Sequence, residues 1–599
     1  MRSRRSDLAG NLTELLTAGK KNEENLNNEI CLKYIYPIVI GHRRCQVEAA
    51  DSSARVLIVG AGPVGQLAAL LLSHHGVGSL LIDKRLTTLS APKAHAINAR
   101  TLEICDSIGV SAEHLRELGA NANDGGQVRF LGTLTGPEFG CLPYERQDEG
   151  AFEATPFPLS NIPQPVFEEE LIAHIRKDPD IDFRRGMECK ALCDVDGHVD
   201  AVLATGETGE EFAWPFDYVI AADGAGSKIR QSLDIEMEGP EALANYLMIH
   251  FSADLRPLTE GRRGVLYFLF EPGVRGTLIS YDQSRTWVLM HPWNPEAEQL
   301  DDYDDEKCLT LIERSVGHPL PETVVENVSP WTMTAQVAKQ YRKGRIFLVG
   351  DAAHRIPPAG GLGINSGAGD VQNLAWKLAA VLRGEAADAL LDTYQIERQP
   401  VARNNNEQSL TNAMKIVDLI VALHGTDPNE TAERYAAVSA DPGAYPELAE
   451  AVAAQMPHFD SFDLQLGYRY ASPAIHQPAP IPEISDVSDY RPSWDAGAHF
   501  PHRWVSKDGN TVALQTLLPA NRFTLLCGPT AVAFDGESVM GQLRFGDDFE
   551  DSESWKSQTG LPSDGALLIR PDGHIAAKFD AVAAEEVDSV MNEILARGV

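Results

Sequence analysis

One stretch constrains the fold more than any other part of the chain. Residues 56–82, VLIVGAGPVGQLAALLLSHHGVGSLLI, contain no Asp, Glu, Lys or Arg. Their length would permit a membrane span. The glycines, the proline and the His74–His75 pair instead divide the stretch into a strand, a tight turn, a helix, a second turn and another strand. The sequence therefore predicts a buried strand–helix–strand unit. No other stretch is apolar enough to suggest a bilayer span, so no membrane partner is expected.

The first turn of this unit carries a dinucleotide-binding pattern. In GxGxxG the first glycine permits the tight turn, the second lets a pyrophosphate approach the backbone, and the third lets helix and strand pack closely. The helix N-terminus then faces the anion, and an acid at the end of the next strand can accept hydrogen bonds from a ribose. The residues assigned to this site are Gly60, Gly62, Pro63, Val64, Gly65, Asp83 and Lys84.

A second glycine-rich segment, RIFLVGDAAHRIPPAGGLGINSGAG, begins at Arg345. An acid ends an apolar strand, and glycines lead into a helix predicted over residues 367–382. A helix N-terminus stabilises negative charge, and the N1 and C2 carbonyl region of a reduced flavin carries such charge. This segment therefore indicates a flavin as the dinucleotide. The residues assigned here are Asp351, Pro358, Gly361, Leu362, Gly363, Ile364 and Asn365.

Three motifs follow one another along the chain: the glycine turn GAGPVG at residues 60–65, ADGAGSKIR at 222–230 and GDAAHRIPP at 350–358. In these motifs the chain resembles the single-component FAD-dependent aromatic monooxygenases, over most of its length from about Arg55. The resemblance implies that Asp223 and Gly224 link binding of FAD and of the nicotinamide cofactor. It also implies that Arg100, and Gln164 with Glu168, contact FAD.

The expected fold class is α/β, a Rossmann-type FAD-binding domain with an inserted antiparallel-sheet substrate domain and a C-terminal thioredoxin-like domain. Residues 265–291 predict an antiparallel meander. The C-terminal unit resembles that of phenol-hydroxylase-like members, but it contains Cys527 without a CxxC pair. The expected boundaries are an extension of unknown role at 1–53, the FAD-binding domain at 54–403 with substrate-domain insertions at about 121–161 and 232–330, helices at 404–475, a linker at 476–497 and the thioredoxin-like domain at 498–599.

The resemblance implies hydroxylation of a phenolic or polyketide-like aromatic substrate with NADPH or NADH and O2, through a C4a-hydroperoxyflavin. The protein would bind FAD, accept the nicotinamide hydride and keep the oxygen adduct dry. Other flavin oxidations remain open: Baeyer–Villiger insertion, epoxidation, oxidative dearomatisation and dehalogenation. A flavin halogenase is disfavoured because a WxWxIP motif is absent. A non-catalytic FAD-binding protein is a further alternative.

A base near a phenol would raise the reactivity of the ring. The catalytic candidates are Tyr281, His291 and the carbonyl of Pro357, and the sequence does not choose among them. His354 is expected to form a structural hydrogen bond. The predicted meander could cover an aromatic substrate, with the side chains Tyr267, Phe268, Phe270, Tyr281 and Trp287.

The charge balance excludes one class of partner. The chain has 51 basic and 86 acidic residues, a formal net charge of -35, so a nucleic acid is not an expected partner. The scattered cysteines do not form a zinc-binding pattern, and no metal site is predicted. A cytoplasmic location is expected. Organelle targeting by the extension and formation of a homodimer are left open.

Overall fold

The computed structural model describes most of the chain. The predicted extension, residues 1–53, lies outside the described part. The described ranges are 54–88, 93–146, 149–206, 208–484, 486–532, 540–551 and 553–597. Within these ranges, no helix combines the length and the apolar character that crossing a bilayer requires.

A six-stranded sheet forms the core of the first domain. Its order is Arg342–Lys343, Ile346–Leu348, Tyr218–Ala221, Val56–Val59, Ser79–Asp83 and Ile181–Arg185. All neighbours are parallel except the first pair, which is antiparallel. The strand Val56–Val59 is buried along its whole length, as a parallel strand covered on both faces must be. It leads into the first helix, Pro63–His74, which confirms the predicted strand–helix–strand unit.

A seven-stranded sheet forms the inserted domain. Its order is Val324–Met333, Ala244–Ser252, Thr286–Pro292, Gly276–Asp282, Leu266–Leu269, Gln127–Leu131 and Glu138–Pro143. The predicted meander is confirmed, because the strands Leu266–Leu269, Gly276–Asp282 and Thr286–Pro292 pair antiparallel. Strand Leu266–Leu269 also pairs in parallel with Gln127–Leu131, which joins the two insertions into one sheet.

The two faces of this sheet bury different aromatic residues. Tyr267 and Trp287 belong to the core that includes Ile312 of helix Asp305–Val316. Phe268 and Phe270 belong to a different core, which includes Phe130 and several helical residues. Adjacent strand residues point to opposite faces, so Tyr267 and Trp287 lie on the other face of the sheet from Phe268. Substrate contact by the meander aromatics stays a prediction.

Smaller sheets and helices complete the two domains. Two three-stranded sheets consist of Met187–Val195, His198–Thr205 and Glu211–Phe216, and of Met237–Glu238, Gln336–Ala338 and His354–Arg355. A short ladder pairs Ala96–Ile97 with Ser160–Asn161. The remaining α-helices before the C-terminal domain are Ala99–Ser107, Ala112–Leu118, Ala122–Gly125, Glu149–Ala154, Gln164–Ile175, Lys228–Ser232, Gly363–Leu382, Thr393–His424, Thr431–Ala440, Pro446–Ala453, Met456–Phe459 and Phe462–Leu466.

The C-terminal domain is thioredoxin-like. Its four-stranded sheet has the order Met540–Arg544, Phe523–Cys527, Ala566–Ile569 and Ile575–Phe579. The first pair is parallel and the others are antiparallel. Helices Trp555–Thr559 and Ala584–Ile594 and the hairpin Trp504–Lys507 with Asn510–Ala513 complete it. Among the described residues of the predicted linker, 476–497, no helix or strand forms.

The helix after the second glycine segment, called the loop helix here, begins earlier than predicted. It spans Gly363–Leu382 rather than residues 367–382. Gly363 was assigned to the loop and is the first residue of the helix. Gly367, inside the helix, serves close packing. A Cβ on Gly367 would lie 2.4 Å from Cγ2 of Val64. Small residues therefore allow the loop helix to pack against the first helix.

A buried ion cluster joins the loop helix to the C-terminal domain. Lys377 of the loop helix lies 2.7 Å from Glu397, in the long helix Thr393–His424. Arg570 of the C-terminal domain donates to both oxygens of Glu397, at 2.7 and 2.9 Å. These three side chains are fully buried. Burial opposes ionisation, but Arg570 and Lys377 hold the pKa of Glu397 well below its ordinary value.

Removing the Glu397 charge should destabilise the protein. Glu397→Gln leaves Lys377 and Arg570 buried without their shared anion, which costs about 3–5 kcal/mol. We expect a clear fall in the urea midpoint of unfolding. Glu447→Gln, at the exposed pair with Arg434, is the matched control and should leave the midpoint unchanged. Equal midpoints for both variants would show that the cluster contributes little to stability.

Candidate functional site

The three glycines of the glycine turn, residues 60–65, differ in the space around them: two are closely packed and one faces open space. Gly60 has a φ of +106°, and a Cβ there would lie 2.3 Å from the carbonyl oxygen of Ala222. A Cβ on Gly65 would lie 1.9 Å from the oxygen of Gly60. A Cβ on Gly62 would meet nothing within 4 Å. Gly60 and Gly65 are thus required by the chain itself, whereas Gly62 faces the open space that a pyrophosphate would need. Pro63 begins the first helix there, and Val64 follows it.

Asp83 anchors this turn. Its Oδ2 accepts a hydrogen bond from the N–H of Ala61 at 3.0 Å, and its Oδ1 accepts one from the N–H of Arg85 at 2.8 Å. The side chain of Arg85 also donates to both oxygens. Burial would raise the pKa of Asp83, but Arg85 outweighs it and holds that pKa below its ordinary value. Asp83 is therefore an anion whose hydrogen-bond partners lie within the chain. Lys84 beside it is exposed. The predicted contacts of Asp83 and Lys84 with FAD stay predictions.

The DG motif supplies a carboxylate near the turn. Oδ2 of Asp223 accepts from the N–H of Ile229 at 3.2 Å, while its Oδ1 is buried without a partner in the described chain. Gly224 has a φ of +81°, and a Cβ on it would meet nothing within 4 Å. The unpaired Oδ1 of Asp223 can accept a hydrogen bond from a ligand, and the space beside Gly224 leaves room for that ligand.

Gln164 and Glu168 lie next to the ribose end of the expected FAD site. Nε2 of Gln164 donates to Oε1 of Glu168 at 2.7 Å. Burial raises the pKa of Glu168, and Arg85 opposes that rise. Both side chains are therefore near Asp83 and Arg85, as a shared site requires.

The glycine loop, residues 356–365, leaves an opening at the N-terminus of the loop helix. A Cβ on Gly363 would meet nothing within 4 Å, whereas one on Gly361 would lie 2.7 Å from Cβ of Ala96. Asp351 is exposed, yet desolvation by the surrounding protein raises its pKa, with His354 opposing that rise. Pro358 is exposed and Ile364 is partly exposed at this loop, while Leu362 is buried.

Asp370 of the loop helix holds the segment of residues 350–354, which precedes the glycine loop. Its Oδ2 accepts from the N–H of Gly350 at 3.1 Å and lies 2.6 Å from Nε2 of His354. Its Oδ1 accepts from Nε of Arg398 at 3.0 Å. Burial would raise the pKa of Asp370, but His354 and Arg398 keep it below its ordinary value. His354 thus makes the structural contact expected of it, and Asp370 fixes the residue that precedes Asp351.

Asn365 ties the loop to a neighbouring segment. Its Nδ2 donates to the carbonyl of Ala96 at 2.9 Å and to that of Gly361 at 2.7 Å. Its Oδ1 accepts from the N–H of Asn98 at 3.0 Å. The short strand Ala96–Ile97 and the glycine loop therefore form one rigid wall.

Arg100 lies at the domain interface. Its guanidinium bonds to Gln372 at 2.9 Å, to the carbonyl of Asp572 at 2.5 Å and to Nε2 of His499 at 2.5 Å. Glu103 is its ion-pair partner at 3.3 Å. These contacts engage both terminal nitrogens of Arg100, while its Nε is buried without a partner in the described chain. The FAD contact implied by resemblance stays a prediction.

The structure separates the three catalytic candidates. The ring of Tyr281 lies 5.7 Å from that of His95, the residue before Ala96. The carbonyl of Pro357 accepts from the hydroxyl of Ser409 at 2.9 Å. The ring of His291 lies 6.5 Å from that of Tyr303, before helix Asp305–Val316. Only Tyr281 and Pro357 are brought to the glycine loop or its wall.

Sequence reasoning missed three residues at this wall. His95 lies between the rings of Tyr144 and Tyr281, with centroids 5.9 and 5.7 Å away. Its Nδ1 is 2.8 Å from Oδ1 of Asn161, and the hydroxyl of Tyr144 would lie 3.6 Å from a Cβ on Gly361. The position of His95 directly before the segment AINAR, residues 96–100, is the one local signal for it in the sequence.

Comparison with known proteins identifies the family. A model described as "FAD binding domain" matches residues 53–409, and one described as "Aromatic-ring hydroxylase, C-terminal" matches residues 494–598. The chain belongs to the FAD-dependent aromatic-ring hydroxylases. It is an FAD-dependent monooxygenase, and NAD(P)H is the co-substrate typical of this family.

Particular relatives cover nearly the whole chain. It is 32% identical to the tetracenomycin A2 monooxygenase-dioxygenase of Streptomyces glaucescens, over 90% of this chain and 97% of that protein. It is 31% identical to the 2,4-dichlorophenol 6-monooxygenase of Cupriavidus pinatubonensis, over 90% and 96%. The crystal structure of the flavin-dependent monooxygenase PieE with FAD and substrate matches with a TM-score of 0.84 and 30% identity, over 92% and 100% of the two chains.

Gly62→Val should abolish FAD binding without harming the fold. The added side chain meets open space in the protein but occupies the approach to the pyrophosphate. We expect a colourless protein whose apo form unfolds at the wild-type temperature. Gly65→Val is the matched control, and it should destabilise the apo form because its Cβ collides with Gly60. Stoichiometric FAD in purified Gly62→Val would contradict this assignment of the turn.

Asp351→Ala should weaken FAD binding. Losing a charge-assisted hydrogen bond to a ligand hydroxyl costs roughly tenfold or more in affinity. The measurement is the dissociation constant of FAD from the apoprotein, by quenching of flavin fluorescence. Asp588→Ala, at an exposed position of the last helix, should bind FAD like the wild type. Equal constants for the two variants would remove Asp351 from the site.

Proposed function

We propose that the protein hydroxylates a phenol with more than one ring, with NAD(P)H as reductant and O2 as oxidant. The observation that carries this proposal is the cluster of His95, Tyr144 and Tyr281 at the wall of the glycine loop. A phenol needs an acceptor for its hydroxyl proton and aromatic surfaces for its rings. This cluster offers both beside the place where the flavin would lie.

The hydrogen bonds of Asn161 set the tautomer of His95. Nδ2 of Asn161 donates to the carbonyl of Gly125 at 2.9 Å, so its Oδ1 faces Nδ1 of His95 as an acceptor. Nδ1 therefore carries the proton, and Nε2 carries a free lone pair. Burial lowers the pKa of His95, and the bond to Asn161 partly opposes this. His95 is thus neutral at pH 7 and able to accept a phenolic hydrogen bond or proton.

We infer a recess beside the ring of His95 from the exposure of the side chains around it. It is partly exposed, whereas Tyr144 and Tyr281 beside it are 5% and 7% exposed. Phe268 is also partly exposed, although it stacks on buried Phe130 with centroids 5.5 Å apart. An opening lined by aromatic rings and a few polar groups is typical of a site for an apolar ligand.

The residues of the chain would divide the work as follows. Gly62 and Gly363 leave room for FAD, Asp351 and Asp223 offer it acceptors, and the loop-helix N-terminus favours its negative charge. When bound, FAD supplies hydride acceptance and oxygen activation. His95 would hold the substrate hydroxyl and take up its proton, which returns to the product oxygen. The aromatic side chains would exclude water from the recess.

The test is NAD(P)H oxidation in air with 2,4-dichlorophenol, 2-naphthol or 1-hydroxyanthraquinone, with peroxide and product measured together. We expect a multi-ring phenol to accelerate NAD(P)H oxidation and to yield a product heavier by one oxygen, with little peroxide. NAD(P)H oxidation that yields only peroxide with every phenol would contradict the proposal. Formation of a homodimer stays a prediction.

A further inference from the structure

We propose that the C-terminal domain positions the flavin-binding end of the loop helix. Arg570 and Asp572, in its turn at residues 570–574, make the contacts that do so. These are positioning residues: they hold the loop helix so that its N-terminus stays where the flavin binds. The proposal rests on the assignment of the flavin site to the glycine loop.

The turn enters the first domain against the loop helix. Arg570 and Asp572 are 2% exposed. Oδ2 of Asp572 accepts from Nε1 of Trp376 at 3.1 Å and from Asn373 at 3.4 Å. The guanidinium of Arg570 lies 5.0 Å from the ring centroid of Trp376. The turn thus contacts two loop-helix side chains one helical turn apart.

Arg570 also fixes the helix through Glu397. It forms two parallel hydrogen bonds to that carboxylate, and Oε2 of Glu397 bonds to Lys377 and Asn373 of the loop helix. Arg570 donates to Asp572 as well, at 3.0 Å from its Nε. A bidentate pair fixes direction as well as distance, so the cluster defines where the C-terminal half of the loop helix lies.

The other half of the same helix carries the flavin-binding features. Gly363 is at its start, Asn365 ties the loop to Ala96, and Asp370 binds Gly350. Asn373 is three positions after Asp370 in the same helix. A rigid helix transmits a displacement along its axis, so loosening residues 373–377 displaces the N-terminus at Gly363.

A displaced N-terminus affects the two flavin redox states unequally. The partial positive charge at a helix N-terminus stabilises an anion and falls off within about one turn. Reduced flavin carries more negative charge than oxidised flavin, so it loses more binding energy when the helix moves. Loss of the contacts of Arg570 and Asp572 should therefore lower the reduction potential of bound flavin. A residue that contributes only to stability would leave this potential unchanged.

The experiment compares Arg570→Met with Trp504→Phe in the full chain. Trp504 makes a different interdomain contact, from its Nε1 to the carbonyl of Phe152 at 2.9 Å, without touching the loop helix. The measurements are the dissociation constant of FAD, the potential of the bound flavin by dye-linked reduction, and the unfolding midpoint of each apoprotein.

In Arg570→Met the ratio of the affinities for reduced and oxidised flavin should fall at least tenfold below that of the wild type. For a two-electron couple this lowers the reduction potential by about 30 mV. Arg570→Lys should fall between it and the wild type, and Trp504→Phe should match the wild type. Should Arg570→Met be insoluble, Asp572→Asn and Arg570→Lys carry the same comparison.

An unchanged potential and FAD affinity in these variants, with only a lower unfolding midpoint, would overturn the proposal and leave the turn as a structural support. Gly62→Val distinguishes this outcome from a wrong assignment of the flavin site. If that assignment is wrong, Gly62→Val retains FAD, whatever the Arg570 variants show.

Discussion

The buried carboxylate of Asp370 is the interaction on which the site depends. It accepts hydrogen bonds from Gly350 and Arg398 and lies beside His354. One anion therefore joins the end of a central strand, the short strand His354–Arg355 and the long helix. A buried carboxylate is costly unless it is paired and hydrogen-bonded. Asp370 has such partners on three sides, and its position in the loop helix fixes the geometry of everything that the helix carries.

The loop helix then connects three functional parts. Its N-terminus opens at Gly363 toward the expected flavin, its Asn365 ties the loop to the wall that ends in His95, and its Lys377 lies in the ion cluster of the C-terminal domain. The sheets provide the frame: the strand Val56–Val59 leads into the open position at Gly62, and the seven-stranded sheet provides the aromatic face of the recess.

Local patterns in the sequence predicted much of this. The glycine turn, the meander and the C-terminal strands follow from short-range spacing and from apolar runs, which physical rules relate directly to structure. The predicted start of the loop helix was four residues too late, because Gly363 was assigned to the glycine loop, whereas it is the first residue of the helix. His95 had one local signal, its place before AINAR. Its contact with Asn161 and the Arg570–Glu397 pair join residues 66 and 173 positions apart, which local spacing does not reveal.

The most direct test of the account is a crystal structure of the FAD-loaded protein with a phenol that it hydroxylates. We predict FAD extending from the glycine turn at Gly62 to the glycine loop at Gly363, and the phenolic oxygen within hydrogen-bonding distance of Nε2 of His95. A phenol bound on the opposite face of the seven-stranded sheet, beside Tyr267 and Trp287, or FAD bound away from the two glycines, would contradict it.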